Sequence, residues 1–286
     1  MRSTWDSVQR AESKMKKSTR AENRAYRLIR TLVRYRRIML STIRVELAKR
    51  YSGSFLGMIW VLLYPALLLS VYLFVYLVVF KMRFPGYSRM DYVLYVFCGL
   101  IPYIGFSEAV MSGCVSIKQN MHLVKNVILP IELIPVRAVA TSLPSQCASM
   151  LILLVLVGLN GSLSWQLVTL PVVFVLQVLF LIGLVFILAS VAVALPDTVY
   201  FVNLFLLFLM FVSPIGFKPE MLPTSFSFMI YLNPIYYMVA MFRIAILGER
   251  LHFILVPAVF SAMCLLVFSS GSAFFYRFKG ILVDYE

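Results

Sequence analysis

Six runs of at least twenty residues with almost no charge dominate this sequence, and they decide its fold class. Met58–Phe80, Ala138–Leu159, Leu167–Leu195, Thr198–Phe217 and Phe253–Tyr276 contain no Asp, Glu, Lys or Arg, and Tyr92–Ile117 contains one, Glu108. A helix needs about 20 apolar residues to cross the ~30 Å hydrocarbon core of a bilayer. Barrel strands would be about 10 residues of alternating pattern instead. The expectation is an all-α integral membrane protein with six transmembrane helices. Composition agrees: 62% hydrophobic and 13% charged residues depart far from the roughly 45–50% and ~25% of soluble domains. So large an apolar excess does not fit one soluble core.

A seventh apolar stretch, Met221–Phe242, reads differently. Pro223, Asn233 and Pro234 interrupt it, and Pro214 and Pro219 precede it. Proline removes a backbone donor and clashes with the preceding turn. Broken backbone survives at membrane depth only inside protein or beside a water-filled cavity. Two short helices that re-enter from one side fit this stretch better than a further span. The expected organisation is a polar basic tail over 1–25, a cytoplasmic amphipathic helix over 26–57, and a transmembrane domain over 58–286.

The formal charge of +14 resembles that of a nucleic-acid binder until its distribution is read. Residues 1–57 hold 15 of the 26 basic residues and only four acids, Asp6, Glu12, Glu22 and Glu46. Lys and Arg mark the cytoplasmic side of a membrane protein. With six spans and the N-terminus inside, 20 basic residues fall in the cytoplasm and six outside. Both termini are therefore expected in the cytoplasm, and no nucleic-acid partner is expected. The first forty residues lack the apolar core of a secretory signal, so no cleavage is expected. Cys98, Cys114, Cys147 and Cys264 lie singly in apolar runs and read as packing residues. His122 and His252 stand alone, without metal-ligand spacing, so no metal site is expected.

Over residues 27–47, Leu28, Ile29, Leu32, Val33, Met39, Leu40, Ile43 and Leu47 fall within an arc of about 140° on a helix, with Arg27, Arg30, Arg34, Arg37 and Arg44 beside them. Arg36 and Glu46 break that pattern. A basic amphipathic helix in the cytoplasmic headgroup plane accounts for it, as an anchor or as a recognition element for an anionic lipid-linked ligand. The segment Lys118–Arg137, with Pro130 and Pro135, reads as a connector or as a docking element for a cytoplasmic partner. Glu108, well inside the bilayer, must face the bundle or an aqueous path. Asp197, after Pro196, is expected to cap the fifth span. Trp60, Tyr64, Tyr72, Tyr76 and Phe80 recur at steps of four, and Phe201, Phe205, Phe208 and Phe211 share a face. Such stripes serve packing, interfacial belts or the faces of sugars.

No GxxxxGK[ST] occurs, so this chain holds no P-loop, and no HExxH or Ser/His/Asp set stands out. The spans carry too little charge for a typical proton relay. An enzyme is not expected, nor a carrier that powers itself.

The run Arg50-Tyr51-Ser52-Gly53-Ser54-Phe55-Leu56-Gly57-Met58-Ile59-Trp60, followed by Tyr64-Pro65, resembles the opening of ABC-2 type permeases that export polysaccharides. Gly99-Leu100-Ile101-Pro102-Tyr103, Phe106-Ser107-Glu108, Asn120, Val124-Lys125, Leu129-Pro130, Ser213-Pro214-Ile215 and Leu232-Asn233-Pro234 with Arg243 continue it over roughly residues 40–286. The resemblance implies a homodimer in the bacterial inner membrane, joined to two copies of a separate ABC ATPase that binds ATP and Mg. No cofactor is implied on this chain. The expected cargo is an undecaprenyl-diphosphate-linked glycan such as O-antigen, capsule or teichoic acid. A drug, lipid or lipooligosaccharide exporter is the alternative, and a membrane scaffold or channel a more distant one.

By the same resemblance, Asn120, His122, Lys125, Asn126 and Pro130 belong to a coupling helix over about 118–130 that docks on the ATPase. Arg44, Arg50, Ser54 and Gly57 lie at the lipid-diphosphate entrance. Trp60, Tyr64, Tyr72, Tyr76, Glu108, Phe201, Phe205 and Phe208 line the glycan path. Asn233, Pro234, Tyr236 and Arg243 form an outer gate on the re-entrant pair, 221–242. Two positions depart from the family pattern: Tyr103 stands where Trp is frequent, and Pro196-Asp197 replaces an Arg-Asp pair.

Overall fold

Hydrogen-bond closure forces each apolar run into helix, because lipid offers the backbone no partner. The computed structural model describes residues 28, 30–49, 53–79, 88–121, 130–221, 227–249 and 254–284. The described residues form α1 (30–49), α2 (Trp60–Phe74), α3 (Arg89–Gln119), α4 (Leu133–Leu159), α5 (Leu170–Ala194), α6 (Thr198–Val212), α7 (Ser227–Leu232), α8 (Pro234–Leu247) and α9 (Leu255–Asp284). The tail over 1–25, Arg50, His122, Lys125, Asn126 and Pro223 lie outside them, as does the side chain of Tyr76.

Among the described residues, four helices are individually long and apolar enough to cross a bilayer: α3, α4, the Trp165–Ala194 unit that contains α5, and Leu255–Gly280 within α9. The other two expected spans are shorter as regular helix. α2 passes at Val75 into a wider five-residue turn of π type, Val75–Val79. α6 stops at Val212, five residues before the end of its apolar run, because Ser213 turns extended (φ −77°, ψ 142°) ahead of Pro214.

Local chemistry explains several boundaries. Ser88 opens α3 with a capping box: its hydroxyl accepts from the Asp91 amide and its amide donates to the Asp91 carboxylate, both at 3.1 Å. Asp197 does not cap α6 with its side chain, contrary to expectation. Its backbone is already helical (φ −65°, ψ −16°), which aims the carboxylate away from the next amides. The Leu195, Pro196 and Asp197 carbonyls accept from Thr198, Val199 and Tyr200 instead, so a tight turn starts the helix.

α3 is the central helix, packed against α4, α5, α6 and α8. α5 and α9 cross where Gly183 meets Gly271. A Cβ on Gly271 would lie 1.9 Å from the Gly183 carbonyl oxygen, and one on Gly183 only 2.5 Å from the Phe268 Cα. Small residues that let backbones touch drive helix association in membranes. Between α4 and α5, Gln146 Nε2 donates to Gln177 Oε1 at 2.8 Å, and Gln177 Nε2 donates to the Pro102 carbonyl at 3.2 Å. These fully buried amides therefore satisfy one another and α3.

Contacts sort the helix ends into two groups. At one end Glu46 of α1, Asn120 after α3, Arg137 of α4, and the Glu132–Lys279 pair meet. At the other, Asp91 meets Asn160, and Tyr92 meets Gly216. α1 and the last turns of α9 thus share an end.

Candidate functional site: a cavity at membrane depth and its polar seam

The corner between α1 and α2 positions the first part of the site. Gly53 and Gly57 adopt φ of +82° and +50°, a left-handed region that side chains disfavour, so the chain doubles back within a few residues. That turn brings the Ser54 hydroxyl to accept from Trp60 Nε1 at 2.7 Å. Ser54, Trp60 and Tyr64 then face a cavity of about 730 Å3. α3 supplies Tyr103, Ser107 and Glu108 to its wall, α4 supplies Ser145, and α6 supplies Asn203, Leu206 and Met210. The Tyr103 hydroxyl donates to the Leu206 carbonyl and ties α3 to α6. The Ser145 hydroxyl donates to Glu108 Oε2 at 2.7 Å.

Glu108 also borders a second cavity of about 340 Å3, with Ser112, Thr141, Ser142, Glu46 and Lys49. Glu46 and Lys49 in turn line a third, of about 370 Å3, with Asn120 and Arg137. Side chains four apart on facing helices, Glu108 and Ser112 on α3 and Arg137, Thr141 and Ser145 on α4, make one polar seam. It runs from α1 to the depth of Glu108.

Of the sequence-predicted path residues, the structure brings Trp60, Tyr64 and Glu108 together, and Ser54, predicted at the lipid-diphosphate entrance, joins them. Tyr72 lies higher on α2, half-buried, with its hydroxyl 3.5 Å from Met210 Sδ. Phe201, Phe205 and Phe208 take another face of α6, exposed at 73%, 58% and 51%. The face of α6 that meets the cavity in this subunit is Asn203, Leu206, Leu207 and Met210. Gly57 shapes the corner, and Arg44 is exposed on α1. The apolar arc of α1 divides: Leu28, Leu32, Met39 and Ile43 join the core with Tyr35, whereas Val33 and Leu40 remain outward.

Glu46, a break in the helical pattern, has a partner. Its Oε2 accepts from Arg137 Nη2 at 3.1 Å, and the same nitrogen donates to Asn120 Oδ1 at 2.6 Å. Asn120, the C-cap of α3, also donates to the Ser116 carbonyl. Across the connector, buried Glu132 accepts from Lys279 at 2.6 Å, and Pro130 is half-buried beside it. The described residues on either side of this connector are therefore tied, Asn120 to α1 through Arg137, and Glu132 to α9. Sequence reasoning missed Arg137, Glu132, Lys279 and Ser145 as functional candidates. The signal available was Glu46 itself, an acid on the apolar side of a basic helix.

At the opposite end, Asn233 accepts from the Ile235 amide as the cap of α8 and donates to Ser213 Oγ, each at 2.9 Å. Pro234 occupies the first turn of α8, where its missing N–H costs nothing. Tyr236 packs edge-on to Tyr231 and Tyr237. Arg243 is 2% exposed. It donates to the Ile215 carbonyl at 2.8 Å and to the Tyr95 carbonyl at 3.4 Å, with Cζ 3.5 Å from the Tyr95 ring centroid. Tyr92 and Tyr95 hydroxyls donate to the Gly216 and Phe217 carbonyls, both at 3.2 Å. The Ile215, Gly216 and Phe217 carbonyls, beyond the end of α6, are thus received one by one. Nearby, burial raises the Glu249 carboxyl above its usual range, while the Arg243 and Lys218 charges pull it back. Among the described residues no group of three His, Cys, Asp or Glu could hold a metal ion.

Comparison with known proteins agrees with this architecture. Residues 39–247 match the family described as ABC-2 type transporter. The chain is similar to the O-antigen export system permease protein RfbA of Myxococcus xanthus, at 30% identity over 228 residues, covering 79% of this chain and 86% of that one. A Klebsiella pneumoniae protein of the same name is 27% identical over 244 residues, covering 83% and 92%.

Proposed function

The chain belongs to the ABC-2 type transporter family, and we propose that it is the permease subunit of an ATP-driven exporter of an O-antigen-type glycan. The observation that carries this reading is the ~730 Å3 cavity at membrane depth, walled by Trp60, Tyr64, hydroxyls, an amide and one carboxylate. Aromatic faces beside hydrogen-bonding groups suit a substrate with apolar ring faces and hydroxyl edges. The names carried by the Myxococcus and Klebsiella relatives support the same cargo.

In this reading α2, α3, α4, α5, α6 and α9 cross the inner membrane. α7 and α8 form a pair that dips in from outside, with Asn233 at its apex. The shared end of α1 and α9 is cytoplasmic, which agrees with the bias of Lys and Arg. Two copies of the chain assemble with two copies of a separate ABC ATPase, which binds ATP and Mg. Residues 118–130 dock on that ATPase, and the clamps at Asn120 and Glu132 carry its movement to α1 and α9. The exposed Phe201, Phe205 and Phe208 stripe faces the second copy and extends the sugar path between subunits. The glycan arrives on an undecaprenyl diphosphate whose charge is met by the basic helix α1 and its corner.

ATPase activity of the copurified complex, measured with and without lipid-linked glycan, tests the proposal. Stimulation by the glycan-bearing lipid and not by lipid alone is expected. Copurification without any ATPase, with intact surface glycan after deletion of the gene, would contradict it.

A further inference from the structure

From Phe201 to the end of α6, Asn203 is the only polar residue. Its side chain lines the larger cavity and is exposed there. Around the helix Asn203 falls between Leu206 and Leu207, above Met210, and about opposite the stripe of Phe201, Phe205 and Phe208. The amide therefore belongs to its own subunit's cavity and not to the face proposed to meet the second copy. Four other polar side chains on that wall are engaged. Ser54 accepts from Trp60, and the Ser107 hydroxyl donates to the Ile104 carbonyl at 3.0 Å. Tyr103 donates to the Leu206 carbonyl, and Ser145 donates to Glu108. Among the described residues, none exchanges a hydrogen bond with the Asn203 amide. A polar side chain kept in an apolar helix without a protein partner is costly and points to function.

We infer that Asn203 reads the sugar in this cavity and selects rings that carry two adjacent free hydroxyls. The inference rests on the proposed glycan path and adds to it which sugar rings are held. A side-chain amide sets an acceptor oxygen beside a two-proton donor, and a hydroxyl both donates and accepts. Two adjacent hydroxyls therefore match the amide in one contact: the first donates to Oδ1 and its neighbour accepts from Nδ2. A ring whose free hydroxyls stand further apart satisfies only half of that fork. The surroundings sharpen the difference. Ile104, Met111, Leu206, Leu207 and Met210 offer no alternative side-chain partner, and a hydrogen bond is stronger in a low-dielectric wall than in water. Trp60 and Tyr64 supply ring faces that stack on either kind of sugar. They hold the glycan, and Asn203 chooses among hydroxyl patterns.

The test uses the complete complex in nanodiscs with Cys98, Cys114, Cys147 and Cys264 changed to alanine and Leu207→Cys added one turn from Asn203. Protection of that thiol from a neutral methanethiosulfonate reagent, read on the separated subunit, gives the affinity of a soluble sugar. One probe is maltotetraose, in which every ring has two adjacent free hydroxyls. The other is nigerotetraose, the same glucoses joined so that no inner ring has an adjacent pair. Maltotetraose should protect the thiol, and Asn203→Leu should weaken it roughly five- to thirtyfold, the worth of two neutral hydrogen bonds. Nigerotetraose should lose less than about threefold. Asn203→Gln, which keeps the amide, should stay nearer the parent than Asn203→Leu does. Maltotetraose weakened less than about twofold, or both sugars weakened equally, overturns the reading role while leaving the glycan path intact. Asn203→Leu that leaves both affinities unchanged but loosens the pair of subunits assigns the amide to the second copy and overturns it too. If neither sugar protects Leu207→Cys in the parent, the cavity is not the glycan path, and the proposed function loses its carrying observation.

Discussion

Replacing Arg243 by methionine removes the guanidinium that pins the broken segment 213–217 to α3. The Ile215 carbonyl then loses its 2.8 Å donor, and it has no helical amide to replace it. A buried acceptor left unsatisfied costs about 1–3 kcal/mol. The Cζ–ring contact at 3.5 Å contributes about 2 kcal/mol when desolvated. The Tyr95 carbonyl, at 3.4 Å, is weakly held and lies within α3, so its loss adds little. Removing a buried cation returns part of the sum. The expected net destabilisation is about 2–4 kcal/mol. Lysine recovers less than about half, having neither the planar fork nor the stacking surface. Cys98, fully buried next to the glycine that Arg243 touches, reports the opening. In a background with Cys114, Cys147 and Cys264 changed to alanine, its thiol should label roughly 30-fold to several hundred-fold faster in Arg243→Met. Acceleration below about threefold would refute the pinning role.

Three further outcomes are expected. A double-mutant cycle of Glu46→Gln and Arg137→Met should give a coupling energy of about 1–2 kcal/mol by reversible unfolding, reduced from a fully buried pair because Glu46 is 41% exposed; strict additivity would sink the clamp. Gly183→Leu should destabilise by about 3 kcal/mol or more, since its Cβ would meet the Phe268 backbone, while Gly280→Ala, with open space around it, should not destabilise at all. Lys125→Glu with Asn126→Ala should leave the chain inserted but weaken ATPase association, and unchanged copurification would argue against a docking role for that segment.

Much of the fold was legible because bilayer thickness converts directly into run length. The runs over 92–117, 138–159, 167–195 and 253–276 appear as helices, most of them longer than their uncharged cores. Hydropathy failed where backbone irregularity is apolar. Ile215, Gly216 and Phe217 read as continued span, yet they form a run of bends whose carbonyls depend on Arg243, Tyr92 and Tyr95. Nothing local announces that dependence, because the partners are more than a hundred residues away for the tyrosines. Periodicity found the aromatic faces of α2 and α6 but not which face meets the cavity. That depends on how α6 leans on Tyr103. Glu46 was visible as an exception on α1, while its partner became clear only when α4 began at Leu133 and carried Arg137 inside the bundle.

The central claim is that this chain forms the membrane-crossing path of an ATP-driven glycan exporter. ATP-dependent movement of a labelled lipid-linked glycan into inverted membrane vesicles tests it most directly. Protected glycan should accumulate in the lumen only when this chain, its ATPase and ATP are all present, and Glu108 and Trp60 variants should alter the rate without abolishing assembly. Accumulation that proceeds without ATP, or equally well in vesicles lacking this chain, would contradict the account.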